Sequence, residues 1–238
     1  MHSVRFLPWR MNKYQHIKKY FINVSFLTLD FKRHKMKKFI LLGILVGLST
    51  MLNAQSETMS KMQESLPYYQ IPDAPETFTA AGIAARMIDG LGYRYYWATE
   101  GLRDEDLAYN PGNDGKICSE VLEHIAGLSN MILTAVHKEV NGTRKVPENM
   151  TWPERRAFTL NNFKEISDLL RETGDVSECK IVFKRGEQTS EFPFWNLING
   201  PIEDAVYHTG QIVSYRRSAG NPSDPNVNVF RGKNRESK

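Results

Sequence analysis

Three histidines lie downstream of Gln55, His124, His137 and His208, and their neighbours sort them. An imidazole can ligate a transition metal or shuttle a proton near neutral pH. His124 sits beside Val121, Ile125 and Leu128, on the apolar side of a helical pattern. His137 is thirteen residues further on. At about 100° per residue that step carries it well over about 90° around the helix, onto a different face. His137 is therefore expected to be a solvated surface residue. His208 follows Asp204 by four residues, so the two side chains leave one helix face a turn apart, and Gln211 and Tyr215 continue the same edge. Ile202, Val206 and Val213 are expected on another, apolar face, with the polar edge bordering it. From the residues alone, bland readings stay open beside a metal site. An inward histidine is most often a hydrogen-bonded core residue, and an exposed acid–imidazole pair supports its helix by only about 0.2–0.5 kcal/mol.

Two other chemistries fit less well. Glu120-x-x-x-His124 beside Asp204-x-x-x-His208 suggests a di-iron bundle. Such sites use a Glu–His step of three and carboxylates from two further helices, whereas the step here is four and the other helices offer no convincing inward acid. A nucleophile mechanism is weaker still. Cys118 is six residues before His124 and faces elsewhere, and no strand–turn–helix motif surrounds a serine.

The elements that must position these groups are mostly helical. Residues 55–75 are polar, with Pro72 and Pro75 near their end, and are expected to form a leader that drapes over the fold. From Glu76 the apolar positions Ala81, Ala84, Ile88, Leu91, Tyr95 and Ala98 recur at spacings of three and four, the pattern of a helix with one buried stripe. Asp104-Glu105-Asp106 and Asn110 to Gly115 are expected to be loop. A second helix is expected from Ile117 to Val140, ended by Asn141-Gly142. A third is expected from Thr151-Trp152-Pro153, with proline in its first turn, to Gly174. Residues 179–201 fit no long helix, and a small hairpin and an irregular excursion both remain open. The last helix follows Gly200-Pro201 and reaches Ala219-Gly220, and residues 221–238 are an irregular tail. Four helices with one long connection predict an all-α fold, a four-helix bundle over 76–220, with the excursion before its last helix. The aromatic run Tyr93 to Trp97 could serve a helix–helix interface, a homodimer included, but is more simply core. Cys118 and Cys179 are expected at a first helical turn and at a strand start, either free or paired.

Two segments carry a family resemblance. Ser119-Glu120-Val121-Leu122-Glu123-His124-Ile125-Ala126 resembles the second-helix motif of DinB-like proteins, and Asp204-Ala205-Val206-Tyr207-His208-Thr209-Gly210-Gln211-Ile212 resembles their last-helix motif. The stretch Tyr215 to Pro222, with Val227-Asn228-Val229-Phe230, is similar to exported members, so the resemblance spans roughly 76–232. It implies a four-helix bundle of the putative metalloenzyme type, with one divalent transition metal, zinc or nickel, on His124, Asp204 and His208. The departure is Asp204, where many relatives have histidine. Aspartate is a competent ligand, but its charge makes metal-bound water less acidic. Three protein ligands leave coordination positions open, as in catalytic sites. The resemblance thus implies a metal-dependent hydrolase or a thiol-dependent transferase acting on an unidentified small molecule. Glu120, Gln211 and Tyr215 are the candidates for orienting a ligand or moving a proton. The alternative is a non-catalytic stress- or envelope-associated binding bundle with a vestigial metal site.

Charge and targeting bound the partners. Of 31 basic and 27 acidic residues, ten and one respectively precede Gln55, leaving 21 basic and 26 acidic side chains downstream. An acidic domain gives no support to nucleic-acid binding. The run Met36-Lys37-Lys38, an apolar stretch from Phe39 to Leu52, and Ala54 before Gln55 has the order of a secretory signal peptide over 36–54. The apolar stretch falls short of the about 20 residues that span a bilayer. The domain is therefore expected to be periplasmic or secreted, with no stable membrane anchor after cleavage. Residues 1–35 then stand where a signal would begin, and are expected to be an over-called extension ahead of a start at Met36.

Overall fold

A computed structural model describes residues 66–75 and 77–236; the expectations for residues 1–35 and for the signal run at 36–54 lie outside the described residues. The described part is mostly helical, with a small two-stranded sheet. None of its helices is long and apolar enough to cross a membrane.

Local chemistry sets the helix ends. Helix α1 (Ala80–Thr99) starts after Thr79, whose hydroxyl accepts from Gly82 N at 2.9 Å, satisfying one of the free N–H groups of the first turn. The helix therefore begins four residues after Glu76. Its expected stripe Ala81, Ala84, Ile88, Leu91, Tyr95 and Ala98 is buried. Asp104-Glu105-Asp106 is not loop: it forms a short helix, α2 (Asp104–Leu107). The driving contact is buried Asp106, which accepts from Arg103 N at 2.8 Å, from the Arg103 guanidinium at 2.9 and 3.0 Å, and from Asn221 Nδ2 at 2.6 Å. Helix α3 (Cys118–Val136) ends earlier than Val140, because Lys138 turns the chain into the left-handed region at φ +59°. Helix α4 (Trp152–Thr173) matches its expected limits. Glu154 Oε2 accepts from Thr151 N and Oγ1 at its start, and Gly174 takes φ +64° at its end.

Residues 179–201 form the hairpin and more. Strands β1 (Ile181–Arg185) and β2 (Gln188–Phe192) pair antiparallel around Gly186, in the register Ile181↔Phe192. A one-turn helix α5 (Phe194–Leu197) and a wide turn at Ile198–Ile202, broken at Gly200, lead into helix α6 (Glu203–Ser218).

Helix α1 packs along α4, α4 along α3, and both α1 and α3 pack on α6. Between them lies one core that includes Ile88, Tyr93, Tyr95, Leu122, Ile125, Ile132, Phe163 and Ile166. The aromatic run at 93–97 is thus intramolecular core: Tyr93 and Tyr95 are fully buried, Tyr96 and Trp97 nearly so. On α6 the buried positions are Ala205, Thr209, Ile212 and Arg216, continuing Ile202. The expected stripe of Ile202, Val206 and Val213 is corrected by this: Val206 is exposed, because α6 is rotated so that its small residues meet the other helices. Arg216 is buried on purpose-built acceptors. Its guanidinium donates to Trp97 O, Ala98 O and Glu100 O, the open carbonyls at the end of α1, and to Asn221 O at 2.6 Å.

The described part of the leader is built in. Tyr68 is buried against α1, Trp97 Nε1 donates to Tyr69 O, and Arg86 donates to Pro72 O. Gly92 has Tyr68 ring atoms at the place of a β-carbon, so a side chain there would expel the leader. Cys118 and Cys179 are both free and fully buried.

Candidate metal centre

Helices α3 and α6 bring His124, Asp204 and His208 together, as the spacing and the resemblance imply. His124 Nε2 lies 3.0 Å from Asp204 Oδ2, and His208 Nε2 lies 3.3 Å from Asp204 Oδ1. The two imidazoles meet edge to face at 4.7 Å between centroids. One ligand atom from each of the three residues falls within 4.8 Å of the others, so the group can hold a metal ion. Ligand bonds of about 2.0–2.2 Å in a tetrahedron put neighbouring ligand atoms about 3.4 Å apart, close to the two N···O separations seen here. All three residues are half-buried, with the Asp204 side chain 40% exposed and that of His208 16% exposed. The site therefore opens to solvent, and a small molecule can reach it.

His208 is oriented from behind. Its Nδ1–H donates to Gln211 Oε1 at 2.6 Å, which points Nε2 and its lone pair at the centre of the triad. Such a partner on the distal nitrogen fixes the tautomer and ring angle of a histidine ligand. Gln211 in turn donates from Nε2 to the Tyr207 hydroxyl at 3.4 Å, and the Tyr207 ring packs edgewise on His208 at 5.2 Å. Tyr207 was not a candidate from the sequence, yet its four-residue spacing to Gln211 carries the signal.

The other candidates fall outside the triad. Glu120 is exposed and spends its carboxylate on the first turn of α3, accepting from Ile117 N at 3.0 Å. Tyr215 lies a turn beyond Gln211 and packs on Tyr109 at 5.3 Å; burial raises its hydroxyl pKa. His137 is off the triad as its helical phase requires, but it is half-buried and paired with Glu165 Oε1 at 2.6 Å, so it is not a free surface residue. Burial pushes the Cys118 thiol up to about 11, which leaves almost no thiolate for a nucleophile.

An inward acid does exist on α1. Asp89 is fully buried, and it contacts Ser167 Oγ at 2.6 Å, the Tyr68 hydroxyl at 3.2 Å and the Arg171 guanidinium. These partners come from α4 and the leader, so Asp89 adds nothing to a second metal position beside His124.

Comparison with protein-family models, with curated proteins and with solved structures finds no match for this chain.

Proposed function

We propose that this chain is an exported, DinB-like four-helix-bundle protein that binds one divalent transition metal, zinc or nickel, through His124, Asp204 and His208. The observation that carries the reading is the convergence of one nitrogen from α3 and one nitrogen and one carboxylate from α6 within 4.8 Å. The donor set suits a borderline metal: two imidazole nitrogens, one of them aimed by Gln211, and one carboxylate. Bound there, the metal would act as a Lewis acid on a substrate heteroatom or activate water or a thiolate. The chain supplies the rest. Asp204 offsets part of the ion's charge, Gln211 holds His208 in angle and tautomer, and the half-exposed face leaves room for a small-molecule substrate. Metal-dependent hydrolysis or thiol-dependent transfer fits that arrangement. Export rests on the Lys37-Lys38, apolar and Ala54 run.

One observation favours a second reading, a non-catalytic binding bundle with a vestigial site. Asp204 sets one oxygen against each imidazole, at 3.0 Å from His124 Nε2 and 3.3 Å from His208 Nε2, an acid–imidazole cluster that can stand as a purely structural pairing. Elemental analysis of the purified protein separates the two. The metal reading expects close to one zinc or nickel per chain, lost in His124→Ala and in His208→Ala. Equal metal content in the wild type and both variants overturns it.

A further inference from the structure

Helix α6 has a second working side. His208 and Gln211 lie on one flank of the buried stripe, while Val206, Gly210, Val213 and Arg217 lie on the other, roughly 180° away at about 100° per residue. This far flank, α1 and the C-terminal tail enclose a cleft of about 580 Å³. That is within the range of about 300–1,000 Å³ usual for small-molecule sites. Its lining from Val206 to Arg217 follows α6 for about 16 Å, at about 1.5 Å per residue.

The lining has a definite chemistry. Trp97 and Val213 from the helices and Val227 from the tail give apolar walls, and Val206 and Val229 stay 39% and 48% exposed at its edges. Two guanidiniums, Arg94 and Arg217, stand in the same lining, and neither forms an ion pair among the described residues. Arg94 donates one N–H to Gly90 O at 3.0 Å and has four others to offer. The single acid of the lining, Asp224, is engaged within the tail, accepting from Asn226 N at 2.8 Å and Asn234 Nδ2 at 3.5 Å. A third feature is independent of charge. Ser223, also in the lining, has a hydroxyl that is buried without a hydrogen-bond partner among the described residues. Buried polar atoms are almost always paired, so this hydroxyl is open to a polar group that enters the cleft. In a domain that is acidic overall, two free guanidiniums over an apolar trough select a negative head on an apolar body.

We propose that this cleft is a second ligand site, separate from the metal triad, and that it takes an amphipathic organic carboxylate of the fatty-acid type. The carboxylate lies between Arg94 and Arg217, and the hydrocarbon runs along Val206 and Val213.

Calorimetric titration of the full protein with decanoate, decanol and decyltrimethylammonium tests the proposal. Decanoate binds one per chain, at least about tenfold tighter than the neutral or cationic analogue, since a charge-assisted pair contributes about that factor. Arg94→Met and Arg217→Met each weaken decanoate about tenfold. Gly210 lies inside α6 with open space where a β-carbon would go, so Gly210→Leu fills the trough without disturbing the fold. That variant keeps the melting temperature of the wild type and loses decanoate binding. His208→Ala binds decanoate as the wild type does. Equal affinity for all three probes, or no binding, overturns the proposal. So does binding that survives Gly210→Leu but is lost in His208→Ala, which would put the carboxylate on the triad.

Discussion

Two aspartates tie elements of this protein together, Asp89 joining α1 to α4 and the leader and Asp204 joining α6 to α3, and they do so in opposite ways. Asp89 is fully buried and takes donors from Tyr68, Ser167 and Arg171. Its counter-charge is a guanidinium that cannot lose its proton, and Arg171 is itself anchored on Ser167 Oγ at 2.7 Å. The group has one arrangement and no spare coordination, and desolvation joined to the Asp89 charge pushes the Tyr68 hydroxyl pKa well above its usual range. Asp204 is 40% exposed, and its partners are two imidazoles. Imidazole nitrogens can give up a proton and accept a metal in its place. A carboxylate sealed with a permanent cation is structure. A carboxylate left half open between two exchangeable nitrogens is a candidate site.

Removing the first group should have the larger effect on folding. Asp89→Ala leaves Arg171 without its buried partner and should cost about 3–5 kcal/mol, read from urea unfolding, while metal content per folded chain stays at the wild-type value. Metal loss in that variant would erase the distinction between the two aspartates.

The reverse holds at the triad. Asp204→Ala and His208→Ala should each lower zinc affinity by more than the about 10–100-fold expected for losing an outer partner, and Gln211→Leu should fall within that smaller range. Competition with a chromophoric chelator measures both. Metal-free stability should move by no more than about 1 kcal/mol in Asp204→Ala, because half-exposed ion pairs contribute little. A stability loss as large as that of Asp89→Ala would make the triad a structural group.

Asp106 sharpens the comparison through pH. Its hydrogen bonds from the Arg103 guanidinium hold its carboxyl well below the usual carboxylate range, against the opposing effect of burial. The folded state therefore binds fewer protons than the unfolded chain in acid. The stabilisation from Asp106 is complete above about pH 5 and is lost as pH falls below that. Melting temperature should drop between about pH 5 and pH 2, and Asp106→Asn should flatten the drop. An unchanged slope in the variant would remove Asp106 from the acid response.

The smallest effect belongs to His137. His137→Ala breaks a half-buried pair with Glu165 and should change stability by at most about 1 kcal/mol, with metal affinity unchanged in the same chelator assay. It is the control that separates loss of a histidine from loss of a ligand.

Spacing made the members of the candidate triad legible as possible ligands, while their grouping into one set came from the family resemblance. Asp204 and His208 are one helical turn apart, His124 shares the buried phase of Val121, Ile125 and Leu128, and His137 does not. The stripe of α1 and the buried phase of α3 were legible from local spacing, as was the stop of α4 at Gly174. The misread places are those where a partner far along the chain decides. The loop expected at Asp104 became α2 because Asp106 meets Asn221, and the phase of α6 went astray because its buried side is made of Ala205, Thr209 and Arg216, which no hydropathy pattern marks as interior. The sequence offered no convincing inward acid on the first helix, and Asp89 is one because Arg171, Ser167 and Tyr68 close over it.

Sequence by itself thus determined the four long helices to within a few residues, the stop at Gly174 and which side chains could ligate a metal, since each depends on neighbours within a turn or two. Only the tertiary structure decided that α3 and α6 face each other so that His124 comes within 3.0 Å of Asp204, that Gln211 aims His208, and that Arg94 and Arg217 share one cleft. The first and last of these join residues eighty or more positions apart, whereas Gln211 and His208 share one turn of α6; the long-range geometry comes from how the helices rotate against one another to bury their faces. Periodicity along one helix carries no information about that rotation.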